Sequence, residues 1–268
     1  LAGGEGQVFD GEVIAAVAKG MLQAGVGYVG GYQGSPVSHL LDILVQAHDY
    51  LDTLGVHVEA CTNEAAACAM LAASINYPIR GAVTWKSIVG TNVASDALSN
   101  IASAGVQGGA LVVVGEDYGE GSSVVQERTH AFAMKSSVCL LDPRPDLPHL
   151  VRVVEHAFAL SEAASTPVVL QLRIRACHMK GTFVCSDNVA PTLSARHLVA
   201  APPPHDPSHM SHPPFTFMHE RCKVEERLPA ARRYIVEHGI NEIFAPTAAD
   251  VGLVVQGGLY NALMRALA

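Results

Sequence analysis

Glu64 is the residue of this chain best placed to do chemistry. It follows Asn63 at the mouth of a helical stretch whose body, residues 65–73, is almost entirely small and apolar, and no Lys or Arg lies within ten residues on either side. An acid in the first helical turn is favoured by the helix dipole and needs no catalytic role. Against that ordinary reading stands the setting. A carboxylate desolvated beside Ala, Cys and Met side chains is prepared to share a proton with a nitrogen of a flat heteroaromatic ring, which small side chains also allow to approach.

The second candidate is the glycine-rich turn Gly30-Gly31-Tyr32-Gln33-Gly34-Ser35-Pro36, which ends an expected strand over 25–30. Open α/β sheets bind ligands at turns of this kind, beyond the carboxyl ends of parallel strands. The turn lacks the Gly-Lys-Ser/Thr of a Walker A loop and the spacing of a dinucleotide fingerprint. Lys86, directly after the apolar strand 80–85, is either a solvated lysine or a receiver of a substrate carboxylate. The loop 115–123, with Glu116, Asp117 and Glu120, has the same topology one strand on and reads as a cofactor-side or interface loop. Its acids are too sparse and irregular for a calcium loop. His205, His209 and His212 sit in a proline-rich stretch with no helical frame and no cysteine at zinc spacing, so no metal site is assigned. No Gly-x-Ser-x-Gly elbow supports a nucleophilic serine.

The elements that must position these residues alternate along the chain. Helical patterns are expected over 13–21, 37–50, 64–73, 92–104, 126–134 and 145–161. Strands are expected over 25–30, 56–60, 80–85, 110–115, 137–141 and 167–174. Asp10 to Glu12 reads as an acid cap for the first helix, and 86–91 as a loop. The run Ala-Leu-Val-Val-Val-Gly at 110–115 is continuously apolar, as in a parallel strand covered on both faces. This order predicts an α/β fold, a doubly wound, mostly parallel sheet with helices on both faces. Prolines at 202–204, 207, 213 and 214 break the pattern. We expect one domain over 1–185, an irregular proline-rich wrap and charged helix over 186–245, and the start of a following α/β domain at 246–268, opened by a strand at 251–258. The charged helix, 220–237, should be interrupted near Pro229.

Composition narrows the class further. The chain has 268 residues, 49% hydrophobic and only 16% charged, enough for a substantial core. A formal charge of −8 argues against a nucleic-acid binder, which needs a basic stripe. No apolar run approaches the roughly 18 residues of a membrane span, and no secretory signal is visible. Six scattered cysteines without a CxxC pair read as free thiols, with the cytoplasm as default compartment. The chain starts at Leu1 and ends within an apolar helical pattern, as a piece of a longer polypeptide would.

Four ordered motifs carry a resemblance. Gly31-Tyr32-Gln33-Gly34-Ser35-Pro36-Val37-Ser38 is similar to Gly-Tyr-Pro-Gly-Thr-Pro-Ser-Ser, and Asn63-Glu64 stands where an Asn-Glu precedes small residues. Trp85-Lys86 through Gly90-Thr91-Asn92-Val93-Ala94-Ser95-Asp96 is similar to Met-Lys…Gly-x-Asn-Val-Ala-Ser-Asp, and Arg173 to His178 to an Arg-x-Cys-His strand end. Together they resemble the α-subunits of indolepyruvate:ferredoxin oxidoreductase, within the thiamine-diphosphate-dependent 2-oxoacid:ferredoxin oxidoreductase superfamily. The likeness is close over about residues 8–180 and looser over 215–268. Gln33 replaces the usual Pro, Ser35 replaces Thr but keeps a hydroxyl, His39 replaces a common Glu, and one residue is inserted between Lys86 and Gly90.

The resemblance implies a pyrimidine-binding domain. Glu64 would be the catalytic acid that controls the aminopyrimidine tautomer. Gly34, Ser35, Pro36, Glu64 and Asn92 would bind the cofactor, with Lys86 on the substrate side. It implies oxidative decarboxylation of a 2-oxoacid, indolepyruvate or another aryl 2-oxoacid, to an acyl-coenzyme A with ferredoxin as acceptor. The chain holds no Gly-Asp-Gly for diphosphate and Mg²⁺, and no clustered cysteines for a [4Fe–4S] centre. Those parts would come from other subunits or a downstream domain, and the chain would not be catalytic alone. The competing reading is a non-catalytic α/β assembly subunit. A generic nucleotide-binding domain is disfavoured by the missing phosphate fingerprints.

Overall fold

Strand-forming runs rich in Val, Leu and Ala collect into one six-stranded parallel sheet with the order β3-β2-β4-β5-β7-β6. Its strands are β2 (Tyr28–Gly31), β3 (His57–Ala60), β4 (Gly81–Lys86), β5 (Ala110–Glu116), β6 (Cys139–Leu141) and β7 (Val168–Arg173). The computed structural model describes residues 1–117, 119, 128–194, 206–244 and 250–268. Alternate side chains of each strand point to opposite faces. On β5, Leu111 and Val113 join one core while Ala110, Val112 and Val114 join the other. The first core is covered by α1 (Val13–Gln23), α2 (Ser38–Gln46), α3 (His48–Leu54) and α8 (Leu147–Ala164). The second is covered by α4 (Glu64–Leu71), α6 (Ser87–Ala104) and α7 (Thr129–Ser136), with the short α5 (Ala73–Asn76) following α4. The expected doubly wound α/β sheet is therefore what forms. No helix among the described residues is long and apolar enough to cross a membrane. All six cysteines are free.

Several element expectations need correction. Asp10, Gly11 and Glu12 do not cap a helix. They belong to β1 (Val8–Glu12), which pairs antiparallel with β8 (Lys180–Val184), and Phe9 stacks on Phe183 at 4.8 Å. Glu12 precedes α1 without a side-chain cap bond. The helical pattern 37–50 is split at Ala47 into α2 and α3. The expected loop 86–91 is the first turn and a half of α6, which starts directly at Ser87. The start of the pattern at 126 lies outside the described residues, and α7 runs from Thr129.

The charged helix is nearly continuous: α10 (Phe215–Cys222), a π turn over Lys223–Arg227, then α11 (Leu228–Glu237) with Pro229 in its first turn, where a missing N–H costs little. Arg227 fastens it to the domain by donating to the Ser103 and Ala104 carbonyls at 2.8 and 2.9 Å, which caps the carboxyl end of α6. The run at 251–258 is not a strand. Residues 251–256 have no regular structure, Gly257–Leu259 form a 3₁₀ turn, and α12 (Tyr260–Leu267) follows. This segment is held by side chains instead of a ladder: Arg173 donates to Gln256 Oε1 at 2.6 Å and Asp142 accepts from Gly258 N at 3.2 Å.

Candidate active site

The sheet has one topological switch point. From β2 the chain goes outward to β3 by α2 and α3 on one face; from β4 it goes outward to β5 by α6 on the other. A crevice opens where such connections part, beyond the carboxyl ends of the two strands. The turn after β2 and the residues after β4 meet there. Gly34 lies so close to β4 that a Cβ would come within 2.6 Å of Lys86 Cβ and 2.8 Å of its backbone nitrogen. Only glycine fits at that approach. Ser35-Pro36 is a cis peptide bond. Lys86 Nζ donates to the Ser35 carbonyl at 2.9 Å and to Asp117 Oδ2 at 2.7 Å, and Asp117 is buried at the end of β5. One lysine thus ties the ends of β2, β4 and β5 together.

Glu64 sits on the other side of β4. Asn63 caps α4 as its residue type suggests, Oδ1 accepting from Ala66 N at 2.8 Å. That leaves Glu64 as the first helical residue, 5% exposed. Among the described residues its carboxylate has no hydrogen-bond or ion-pair partner. Its stem lies against Gly90 of α6, beside the indole of Trp85. The stem is buried, but neither carboxylate oxygen is among the buried polar atoms that lack a partner, so the acid group keeps contact with the open space beyond the strand ends. Cys68, on the same helix, is pushed up to about 12 by burial and is no nucleophile.

The structure brings Glu64 and the Gly34-Ser35-Pro36 turn to the two sides of one strand end, Trp85-Lys86. Asn92 stands a turn further along α6, exposed, with Nδ2 donating to the Ile88 carbonyl at 2.9 Å. Glu116 is committed elsewhere: it accepts from Thr129 N and Oγ1 at 3.1 and 3.2 Å and from Gln171 at 2.7 Å. Tyr118 and residues 120–123 of the expected cofactor-side loop lie outside the described residues, as does His205. Of the other two histidines, His209 lies 3.6 Å from Asp206, and His212 Nδ1 meets the Pro213 carbonyl at 2.6 Å. Among the described residues no group of three or more His, Cys, Asp or Glu could hold a metal ion. Sequence reading named Trp85 and Gly90 only within a motif and Asp117 only among the acids of a loop, and gave none of them a place beside Glu64 or Lys86. A sole tryptophan at a strand end was the available signal for the first; Asp117 is joined to Lys86 only by the fold.

No family model matches the chain. Curated relatives do. It is 26% identical over 253 residues to indolepyruvate oxidoreductase subunit IorA of Methanothermobacter marburgensis, covering 94% of this chain and 39% of that protein. To the IorA of Pyrococcus abyssi it is 27% identical over 256 residues, 94% of this chain and 38% of the relative. To that of Thermococcus kodakarensis it is 31% identical over 173 residues, 64% and 26%. The chain thus spans about two fifths of the length of the first two relatives. A solved 2-oxoglutarate:ferredoxin oxidoreductase from Magnetococcus marinus, with 2-oxoglutarate, coenzyme A and succinyl-CoA bound, superposes with a TM-score of 0.64 at 15% identity, over 85% of this chain and 45% of that one. That likeness carries the fold. By sequence, the chain is similar over most of its length to the IorA subunits of indolepyruvate oxidoreductase.

Proposed function

We propose that this chain supplies the pyrimidine half of a thiamine-diphosphate site in a multi-subunit 2-oxoacid:ferredoxin oxidoreductase. The observation that carries the reading is the carboxylate of Glu64, without a hydrogen-bond or ion-pair partner among the described residues, on a residue only 5% exposed at the strand ends of the sheet's topological switch point. The residues fit the aminopyrimidine. Glu64 offers an acid to a ring nitrogen, and the apolar wall of α4 and Trp85 excludes water from that exchange. Gly34, Ser35 and Pro36 form the opposite lip, with Asn92 assigned to its outer edge. Thiamine diphosphate, when bound, supplies the nucleophilic carbon and the electron sink that decarboxylation of a 2-oxoacid requires.

The protein's part is to hold a proton at N1′ and to keep the ring in place. Glu64 does the first, because a carboxylate in a dry site can both give and take that proton. Lys86 is taken by Asp117 and the Ser35 carbonyl, so on this reading it acts on the substrate side by holding the Ser35 lip. The substrate is an aryl 2-oxoacid such as indolepyruvate, with coenzyme A taking the acyl group and ferredoxin the electrons. Mg²⁺, the diphosphate and the [4Fe–4S] clusters are held by other subunits or a downstream domain, in the cytoplasm. Residues 1–185 would be the pyrimidine-binding unit, 186–245 its wrap and 246–268 the start of the next unit. The completing subunit would pack across the Glu64 face, where Val89 and Val93 of α6 are 56% and 47% exposed.

Glu64→Gln in the complete complex tests the reading. Glutamine keeps the shape and the hydrogen bond but moves no proton, so 2-oxoacid-dependent ferredoxin reduction should fall by roughly 10²–10⁴-fold. Full turnover with saturating thiamine diphosphate would instead make this an assembly subunit.

A further inference from the structure

The stem of Glu64 lies in a slot whose walls come from the next βα unit. Trp85 is the penultimate residue of β4, on the face that α4 and α6 cover, and is wholly buried. Its Nε1–H donates to Thr91 Oγ1 at 3.0 Å. The indole is therefore fixed by the helix that starts two residues later. Gly90, within that helix, closes the slot. A Cβ there would stand 2.6 and 2.8 Å from Trp85 Cδ1 and Cγ, and 2.9 Å from Glu64 Cγ. All three are inside van der Waals contact. The ring is clamped, so the flexible stem of Glu64 is what would yield.

We infer that Gly90 is a positioning residue for Glu64, with Trp85 as the fixed wall it works against. The inference rests on the proposed function, which gives the Glu64 carboxylate something to be aimed at. Helical glycine is unfavourable against alanine, and here it occupies the middle of a turn where nothing about the backbone requires it. Its φ is not positive, unlike that of Gly105 after the same helix. What it provides is a missing Cβ on the side facing Glu64. Neither wall offers the carboxylate a hydrogen bond, so shape alone aims the acid. A group held in that way is sensitive to displacement: a misplacement of about 1 Å at a reacting centre costs on the order of 10²-fold in rate.

The test uses the complete complex and thiamine diphosphate with Mg²⁺ in excess, followed by calorimetry and thermal melts. Gly90→Ala should weaken thiamine-diphosphate binding roughly tenfold or more, equivalent to ~1.4 kcal/mol, and lower Tm modestly, because a Cβ pressed on the held indole overpacks the slot by more than alanine's better helix propensity returns. At saturating cofactor kcat should stay depressed, which a purely structural substitution in a folded protein would not produce. Wild-type affinity and kcat in Gly90→Ala overturn the inference. Should Gly90→Ala fail to fold, Thr91→Val decides: it frees the indole with little change of volume, so weakened binding upholds the slot and unchanged binding removes it. Glu64→Gln run alongside separates the two levels. Impaired Glu64→Gln with normal Gly90→Ala sinks the positioning role and leaves the cofactor reading standing. Normal Glu64→Gln sinks the reading beneath it.

Discussion

Lys19 and Glu64 are both buried charges, and the fold treats them in opposite ways. Lys19, on α1 and wholly inaccessible, donates to the Gly3 carbonyl and Asn188 Oδ1 at 2.5 Å and to the Ser186 carbonyl at 3.0 Å. It stitches the first residues of the chain to the segment after β8. Glu64, almost as deep, has no such partner among the described residues. A fully satisfied buried charge rigidifies its surroundings, whereas an unsatisfied one weakens them unless a ligand completes it. On the proposed reading, the difference is one between a structural and a functional charge, visible in single hydrogen bonds.

Opposite outcomes follow on substitution. The largest effect is expected on activity. Glu64→Gln should lose the turnover given above with no fall in Tm, because it removes an unpaired charge and keeps the packing, as strained active-site groups typically trade stability for function. A melt of the variant complex showing a drop of many degrees would mean that Glu64 serves the helix end. Next comes Lys86→Met, which removes one charged partner of the buried Asp117 and the tie to the Ser35 carbonyl. It should destabilise by ~3 kcal/mol, read by denaturant titration, and loosen cofactor binding through the Ser35 lip. Lys19→Met should cost about 2 kcal/mol of stability, since three neutral acceptors lose a charged donor. Thiamine-diphosphate affinity of the folded protein should be unchanged. An affinity change with unaltered stability would erase the contrast between the two charges.

The smallest effect concerns pH. His156 of α8 meets the Tyr234 hydroxyl at 2.9 Å, with the His238 ring and Arg152 nearby, and holds α11 against the domain. Burial first, then the neighbouring His238 and Arg152, lowers its pKa below 6.5. Its native pKa lies below the unfolded one, so the unfolded chain binds more protons between the two values, and stability falls as pH drops through that window. His149 has the same sign, again from burial. Tm should therefore decline below about pH 6.5, less steeply in His156→Phe. A flat profile in the wild type would contradict it.

The sequence was most legible where short-range pattern and chemistry coincide. The apolar run of β5 and the glycine turn needed no tertiary information. The β1–β8 ribbon was missed because Asp10 and Glu12 look like capping acids until Lys180–Val184 is brought alongside from across the chain. The run at 251–258 looks like a strand, yet no ladder takes it up, and Val254 stands fully exposed. Gly90 misled in a more instructive way. A glycine in a polar stretch reads as a loop, whereas here it is helical and small because Glu64 and Trp85 press on it. Lys86 was visible as a cation, but its engagement with Asp117 depends on two strands meeting side by side.

The slot beside Glu64 also has an optical side. Trp85 is the only tryptophan in the chain, and its indole lies within van der Waals reach of Gly90, next to the acid's stem. Its emission colour and quenching are set by the charge and dryness of that one spot. Whatever occupies the crevice against Glu64 changes the light the chain emits, so the molecule carries an intrinsic gauge of its own occupancy.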